Sequence, residues 1–164
     1  MPELRDLMTE LGHTDVDTYI QSGNAVFTSQ ETDTTKLADE LERAVADRLD
    51  VACGVVVVTK DELQRVIDDN PFPRADDPKT LHAVFRRAEL TKDEQARVAQ
   101  ARDRAKARGC QDEAVIVGRT MFLYTPDGLG RSELSAQLSR TTASKTGTSR
   151  NWATVLKLRD MLGD

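Results

Sequence analysis

The chain has 164 residues, of which 38% are hydrophobic, 31% charged and 4% aromatic, and its net charge is -5. That length suits one medium domain or two small ones, with enough apolar residues for a core. The acidic total disfavours broad nonspecific binding to nucleic acid, and the scarcity of aromatic rings argues against a base-stacking sheet.

Charge is uneven along the chain. From Arg119 to the end there are seven Lys/Arg and four Asp/Glu, whereas the rest carries 16 and 24. A locally basic C-terminal region is therefore expected. Cys53 and Cys110 form no CxxC pair, which fits a reducing compartment. The longest apolar run is residues 55–58, too short to span a membrane, and no signal-peptide pattern is evident. The expected location is cytoplasmic, with no membrane partner.

The spacing of Leu4, Leu7, Met8 and Leu11 predicts a helix over residues 3–11, stopped by Gly12. Residues 16–20 and 25–28 read as a hairpin around Ser22-Gly23-Asn24. Leu37, Leu41, Ala44, Val45 and Leu49 make the inward stripe of a helix over 36–49. The β-branched run 54–58 predicts a strand buried on both faces. Thr59-Lys60-Asp61-Glu62 has capping-box spacing and opens a helix to about residue 69.

The three prolines and two adjacent acids between Asn70 and Pro78 read as a linker. A strand is expected over 81–85. Thr91-Lys92-Asp93-Glu94 repeats the capping pattern and starts a helix that Gly109 closes. Residues 114–117 and 121–124 read as paired strands around Gly118-Arg119, and 126–130 as a turn. Ser132 caps a helix to Leu138, residues 141–149 read as a loop, and a last helix runs over 150–162. The repeated Thr-Lys-Asp-Glu is weak evidence of duplication, because capping chemistry selects it independently.

Helices alternating with antiparallel hairpins point to an α+β fold of two ferredoxin-like units. The expected division is 1–70, a linker at 71–78, and 79–164 ending in the terminal helix. A ferredoxin-like unit places a strand before its first helix, so the first unit reads as one strand short.

Thr148-Ser149-Arg150-Asn151-Trp152 joins hydroxyl residues to the start of the last helix and holds the only tryptophan. With Thr148 or Ser149 as cap, free backbone N–H groups point at the loop, and Arg150, Thr154 and Lys157 fall on one strip. Such an end suits a phosphate or carboxylate. Gly130-Arg131-Ser132 makes a second end of the same kind, and the two together would form one anion pocket. Plain N-caps with Trp152 as a core anchor explain the same residues. Tyr19, Gln21 and Asn24 offer polar groups that a sheet surface could present to a ligand, although a turn requiring Gly23 explains them equally well.

No catalytic set emerges. Lys145-Thr146-Gly147 matches one element of the β-lactamase pattern, without its Ser-x-x-Lys or Ser-Asp-Asn partners. The spacing of a phosphate-binding P-loop is missing. His13 and His82 have no ligand pair nearby, so neither a metal nor a cofactor is expected. The cysteines read as packing residues, and Asp68-Asp69 and Asp76-Asp77 as solvated acids.

Asp17-Thr18-Tyr19-Ile20-Gln21-Ser22-Gly23-Asn24-Ala25-Val26-Phe27 and Thr148-Ser149-Arg150-Asn151-Trp152-Ala153-Thr154-Val155-Leu156-Lys157-Leu158 resemble the hairpin and C-terminal signatures of the domain-of-unknown-function 1697 family of uncharacterised bacterial proteins. Asn70-Pro71-Phe72 and Gly128-Leu129-Gly130-Arg131-Ser132 resemble further family segments. The resemblance implies two linked ferredoxin-like parts and no assigned activity. Members it resembles carry an apolar strand and an Arg-Gly-Ile-Asn-like loop before the first helix, where this chain begins at Met1-Pro2-Glu3-Leu4.

Three functional expectations follow. The first is a binding module for an anionic small molecule or, with less support from the charge, a nucleic-acid backbone. The second is an enzyme on an anionic substrate whose site includes that glycine-rich loop. The third is an interaction protein that dimerises through an exposed sheet edge.

Overall fold

A computed structural model describes residues 1–140 and 147–164. The Lys145-Thr146 pair and residues 141–146 of the expected loop lie outside the described residues. The chain is α+β and divides into two compact units, Met1–Gln64 with Leu156–Asp164, and Arg65–Val155. Asn70 to Pro78 falls within the second unit. No helix among the described residues is long and apolar enough to cross a membrane.

The first unit opens with α1 (Pro2–Glu10), followed by the antiparallel hairpin β1 (Thr14–Tyr19) and β2 (Asn24–Thr28). Next come α2 (Thr34–Leu49) and α3 (Lys60–Asp68). Gly12, at φ +94°, ends α1 as expected of a glycine stop. Asp33 caps α2 by accepting from the N–H groups of Thr35 and Lys36. Thr59 and Glu62 exchange the two bonds of a capping box at 2.8 and 3.1 Å. Leu7 and Met8 of α1, Leu37, Ala38, Leu41 and Val45 of α2, and Leu63 of α3 are buried.

The expected strand at 54–58 is not observed. Its four valines are half-buried, and the run belongs to neither sheet. β-propensity describes fit to a pleated surface rather than an intrinsic backbone preference, so a valine run does not by itself create a ladder. Its position is tied instead to α2, where Glu42 Oε1 accepts the Val55 N–H at 2.8 Å. The first unit's sheet therefore has two strands.

The second unit contains β3 (Leu81–Arg86), α4 (Lys92–Ala107), β4 (Glu113–Val117), β5 (Thr120–Tyr124), α5 (Glu133–Leu138) and β6 (Gly147–Asn151). Its sheet order is β4-β5-β3-β6, every pairing antiparallel, which is the ferredoxin-like arrangement. α6 (Trp152–Met161) follows β6 directly.

Strand alternation gives this sheet two distinct faces. Val84, Ala114, Met121 and Leu123 pack with Val98, Ala101 and Ala105 of α4 and with Leu134 and Leu138 of α5. The opposite face carries Leu81, Ala83, Phe85 and Phe122, all buried. The Thr91–Glu94 capping box starts α4, and Arg86 forks onto Glu94 at 3.1 and 3.2 Å. The Thr91 N–H and then Arg86 hold the Glu94 carboxyl below the usual carboxylate range.

Candidate anion-binding strand

The segment expected to be a loop and a helix start is an edge strand. Thr148, Ser149 and Arg150 belong to β6, where they pair with Phe85, Val84 and Ala83 of β3. The last helix begins at Trp152, two residues later than expected. Its cap is Asn151, whose Oδ1 accepts the Thr154 N–H at 2.9 Å. The strip of Arg150, Thr154 and Lys157 is thereby broken: Arg150 is on a strand, Thr154 is buried, and only Lys157 is an exposed helical cation. Trp152 is a core anchor, 9% exposed and 6.1 Å from the Phe122 ring.

Gly147 lets β6 approach β3 this closely. A Cβ there would lie 2.5 Å from Val84 Cγ1, 3.2 Å from the Phe85 carbonyl oxygen and 3.3 Å from Arg86 Cγ. Alternation then sorts the expected site residues. Thr148 and Arg150 lie on the face of Phe85 and Ala83, whereas Ser149 and Asn151 lie on the face of Val84 and His82. The three hydroxyl and cationic groups read from the sequence as one cluster are divided between opposite faces.

The second expected end is occupied by protein groups. Ser132 is buried and caps α5 through the Ser135 N–H at 2.9 Å. Its hydroxyl donates to Asp112 Oδ2 at 2.5 Å, and Cys110 Sγ reaches the same oxygen at 3.0 Å. The Ser132 hydroxyl and the Asp112 carboxylate are thus paired with each other at this helix end. Gly130 and Arg131 lie in a single 3-10 turn, with Arg131 exposed. In the first unit, Asn24 is buried and its side-chain N–H groups reach the Tyr19 carbonyl at 3.2 Å and Ser22 Oγ at 2.9 Å, closing the turn. Tyr19 is half-buried and Gln21 exposed.

Arg150 remains the most unusual cation of the expected set. It is half-buried, and its Nη1 donates to the Ser149 carbonyl at 2.8 Å. Desolvation pushes its pKa down, although a guanidinium stays charged throughout the range in which proteins fold. Across β3 on the other face, His82 pairs with Asn151. Burial pushes the His82 pKa below its ordinary 6.5, and its Nδ1 is buried with no hydrogen-bond partner among the described residues. No local pattern around His82 signals this environment. Asn151 replaces the expected Thr148 or Ser149 as the cap, and the signal that could have found it is an asparagine directly before an apolar helical run. No group of three or more metal-ligating side chains occurs among the described residues.

The model of a family described as a protein of unknown function, DUF1697, matches residues 1–121. The chain belongs to the DUF1697 family. The matched region includes the hairpin signature at 17–27 and ends before the C-terminal one at 148–158. Among solved structures, the conserved bacterial protein SP0830 from Streptococcus pneumoniae is similar at 21% identity, with a TM-score of 0.73. The alignment covers 99% of this chain and 88% of that one, and the likeness is one of fold. A comparison with curated proteins finds no match. The family thus confirms the resemblance read from the hairpin signature and assigns no activity.

Two outcomes test the strand. Gly147→Ala should destabilise the chain by about 1–3 kcal/mol, because the new methyl meets a packed side chain and backbone together. A denaturant midpoint unchanged from the parent would contradict the close approach. His82 adds a pH dependence whose sign is fixed. The unfolded state binds the proton more readily than the folded one, so this contribution is present above pH 6.5 and is lost as pH falls through the unfolded value toward the depressed folded one. Melting across pH 5 to 8 should show that loss, and His82→Gln should flatten it; a parallel profile in the variant would count against a buried neutral imidazole.

Proposed function

We propose that this protein is a binding module for a small phosphate- or carboxylate-bearing molecule, and that Arg150 on β6 is the recognising group. The observation that carries the reading is the half-buried guanidinium on an edge strand. Its Nη1 already bonds the Ser149 carbonyl and the group has further protein interactions that hold it in place, and a planar guanidinium is suited to a two-pronged bond with a carboxylate or phosphate. Thr148 lies two residues away on the same face and adds a hydroxyl that can donate to the same anion. This reading moves the site from the helix ends to the strand, since Ser132 already serves Asp112 and Ser149 lies on the opposite face.

A second reading, an interaction protein acting through a sheet edge, is supported by the two-stranded sheet of the first unit. An isolated two-stranded ribbon is marginal in water and gains from a further strand. Ile20 at the hairpin tip is 52% exposed and sits at φ +48°, an uncommon conformation for a β-branched residue. Sedimentation over a wide concentration range separates the readings: self-association supports the edge, and a monomer throughout removes it.

The test of the anion site is thermal melting with inorganic phosphate, citrate and a nucleoside triphosphate as probes. A ligand held by the folded state raises the midpoint by mass action. The parent should shift with at least one probe, Arg150→Ala should lose the shift, and Arg150→Lys should keep part of it, because charge survives while the fork does not. An equal shift in parent and Arg150→Ala places the anion elsewhere.

A further inference from the structure

The overall charge of -5 conceals a division between the two units. Met1–Gln64 with Leu156–Asp164 holds sixteen Asp/Glu against seven Lys/Arg, a net of -9, whereas Arg65–Val155 holds twelve against sixteen, a net of +4. α4 carries five Lys/Arg against three Asp/Glu, half of the second unit's excess. That helix buries Val98, Ala101 and Ala105 against the sheet and exposes Arg97, Arg102, Arg104 and Lys106. None of these four makes an ion pair or side-chain hydrogen bond among the described residues, although Arg108 beyond the helix end is held by Glu133 at 2.9 Å.

At about 100° per residue the four cations fall into two rows. Arg97 and Arg104 lie along one flank of the helix, about 10.5 Å apart along its axis, and Arg102 and Lys106 lie along the other, about 6 Å apart. Beyond the first turn, where Lys92 and Asp93 are also exposed on this side, the ridge between the rows is made of Ala96, Ala99, Gln100, Asp103 and Ala107. It is narrow, because three of its five side chains are methyl groups. The helix dipole favours cations near its C-terminus, but that preference does not select two flanks or an alanine ridge between them.

We propose that the outer face of α4 is a docking surface for duplex DNA, with the alanine ridge in the major groove and the two cation rows on the phosphodiester walls either side. The dimensions agree: a helix with its side chains is about 10–12 Å across, and the B-form major groove is about 12 Å wide. Duplex RNA fits less well, because its major groove is too deep and narrow for a helix. An acidic protein surface, including the first unit of another copy, would satisfy the same charges. However, exposed ion pairs between proteins contribute only about 0–1 kcal/mol each, whereas every phosphate neutralised on a duplex releases condensed counterions. Asp93 in the first turn and Asp103 on the ridge oppose the phosphates, as does the acidic first unit, so binding is expected at low ionic strength. This surface is separate from Arg150 and does not depend on the anion-site reading.

The experiment is fluorescence anisotropy of a labelled twenty-base-pair DNA duplex at several salt concentrations, with duplex RNA and polyglutamate as competitors. For the parent, the logarithm of affinity should fall against the logarithm of salt with a slope of about -3 to -4, as four phosphate contacts require. The double variants Arg97→Gln/Arg104→Gln and Arg102→Gln/Lys106→Gln should each bring the slope about two nearer zero. Asp103→Asn should tighten binding. Thermal melting of each variant verifies that exposed substitutions leave the fold intact. No binding at low salt, a slope indifferent to both double variants, or competition by RNA or polyglutamate equal to that by DNA would overturn the proposal.

Discussion

The central constraint of the second unit is the pairing of β3 with two strands at once. β3 bonds β5 along one side and β6 along the other, while one of its faces packs on α4 and α5. β6 can approach only because Gly147 has no side chain to strike Val84 or the Phe85 carbonyl. Once β6 is in place, Asn151 is positioned to cap α6, and Trp152 in the first turn reaches Phe122. The orientation of Thr148 and Arg150 is then fixed by alternation, not by a flexible loop.

Much of this was legible in the sequence because local chemistry and tertiary structure agree there. Both Thr-Lys-Asp-Glu boxes start helices, Gly12 and Gly109 at positive φ stop α1 and α4, and the hairpin at 114–124 follows from two apolar runs around Gly118. The two failures have one cause. Residues 54–58 look like a strand but lie in neither sheet, and residues 147–151 read as the end of a loop and the start of a helix but form β6. Strand character depends on an available partner more than on composition. Gly-Thr-Ser-Arg-Asn carries no apolar alternation, and its ladder is built from backbone groups that every residue possesses. The signal for β6 lies in β3, covered on both faces and paired along both edges, and single-segment patterns do not carry it.

The same mechanism explains why the candidate site moved. Reading Thr148, Ser149 and Arg150 as a cap gathers them at one helix end, whereas extending them as a strand separates Ser149 from the other two by a full sheet. Ser132 was correctly read as a cap, but its hydroxyl is shared with Asp112, twenty residues away, which no local pattern reveals. Membership of DUF1697 supplies the family and leaves the chemistry to the residues. Those residues put a half-buried guanidinium on the sheet edge and two rows of exposed cations on α4, both within the unit of net positive charge.

The account stands on the strand at 147–151, and native-state hydrogen exchange of its amides by NMR tests that most directly. Amides of β6 that donate to β3 should exchange slowly, in step with those of β3 itself, because opening them requires loss of the sheet. Exchange at unprotected rates across all five residues would return the segment to a loop, and with it would go the fixed orientation of Arg150 on which the proposed site depends.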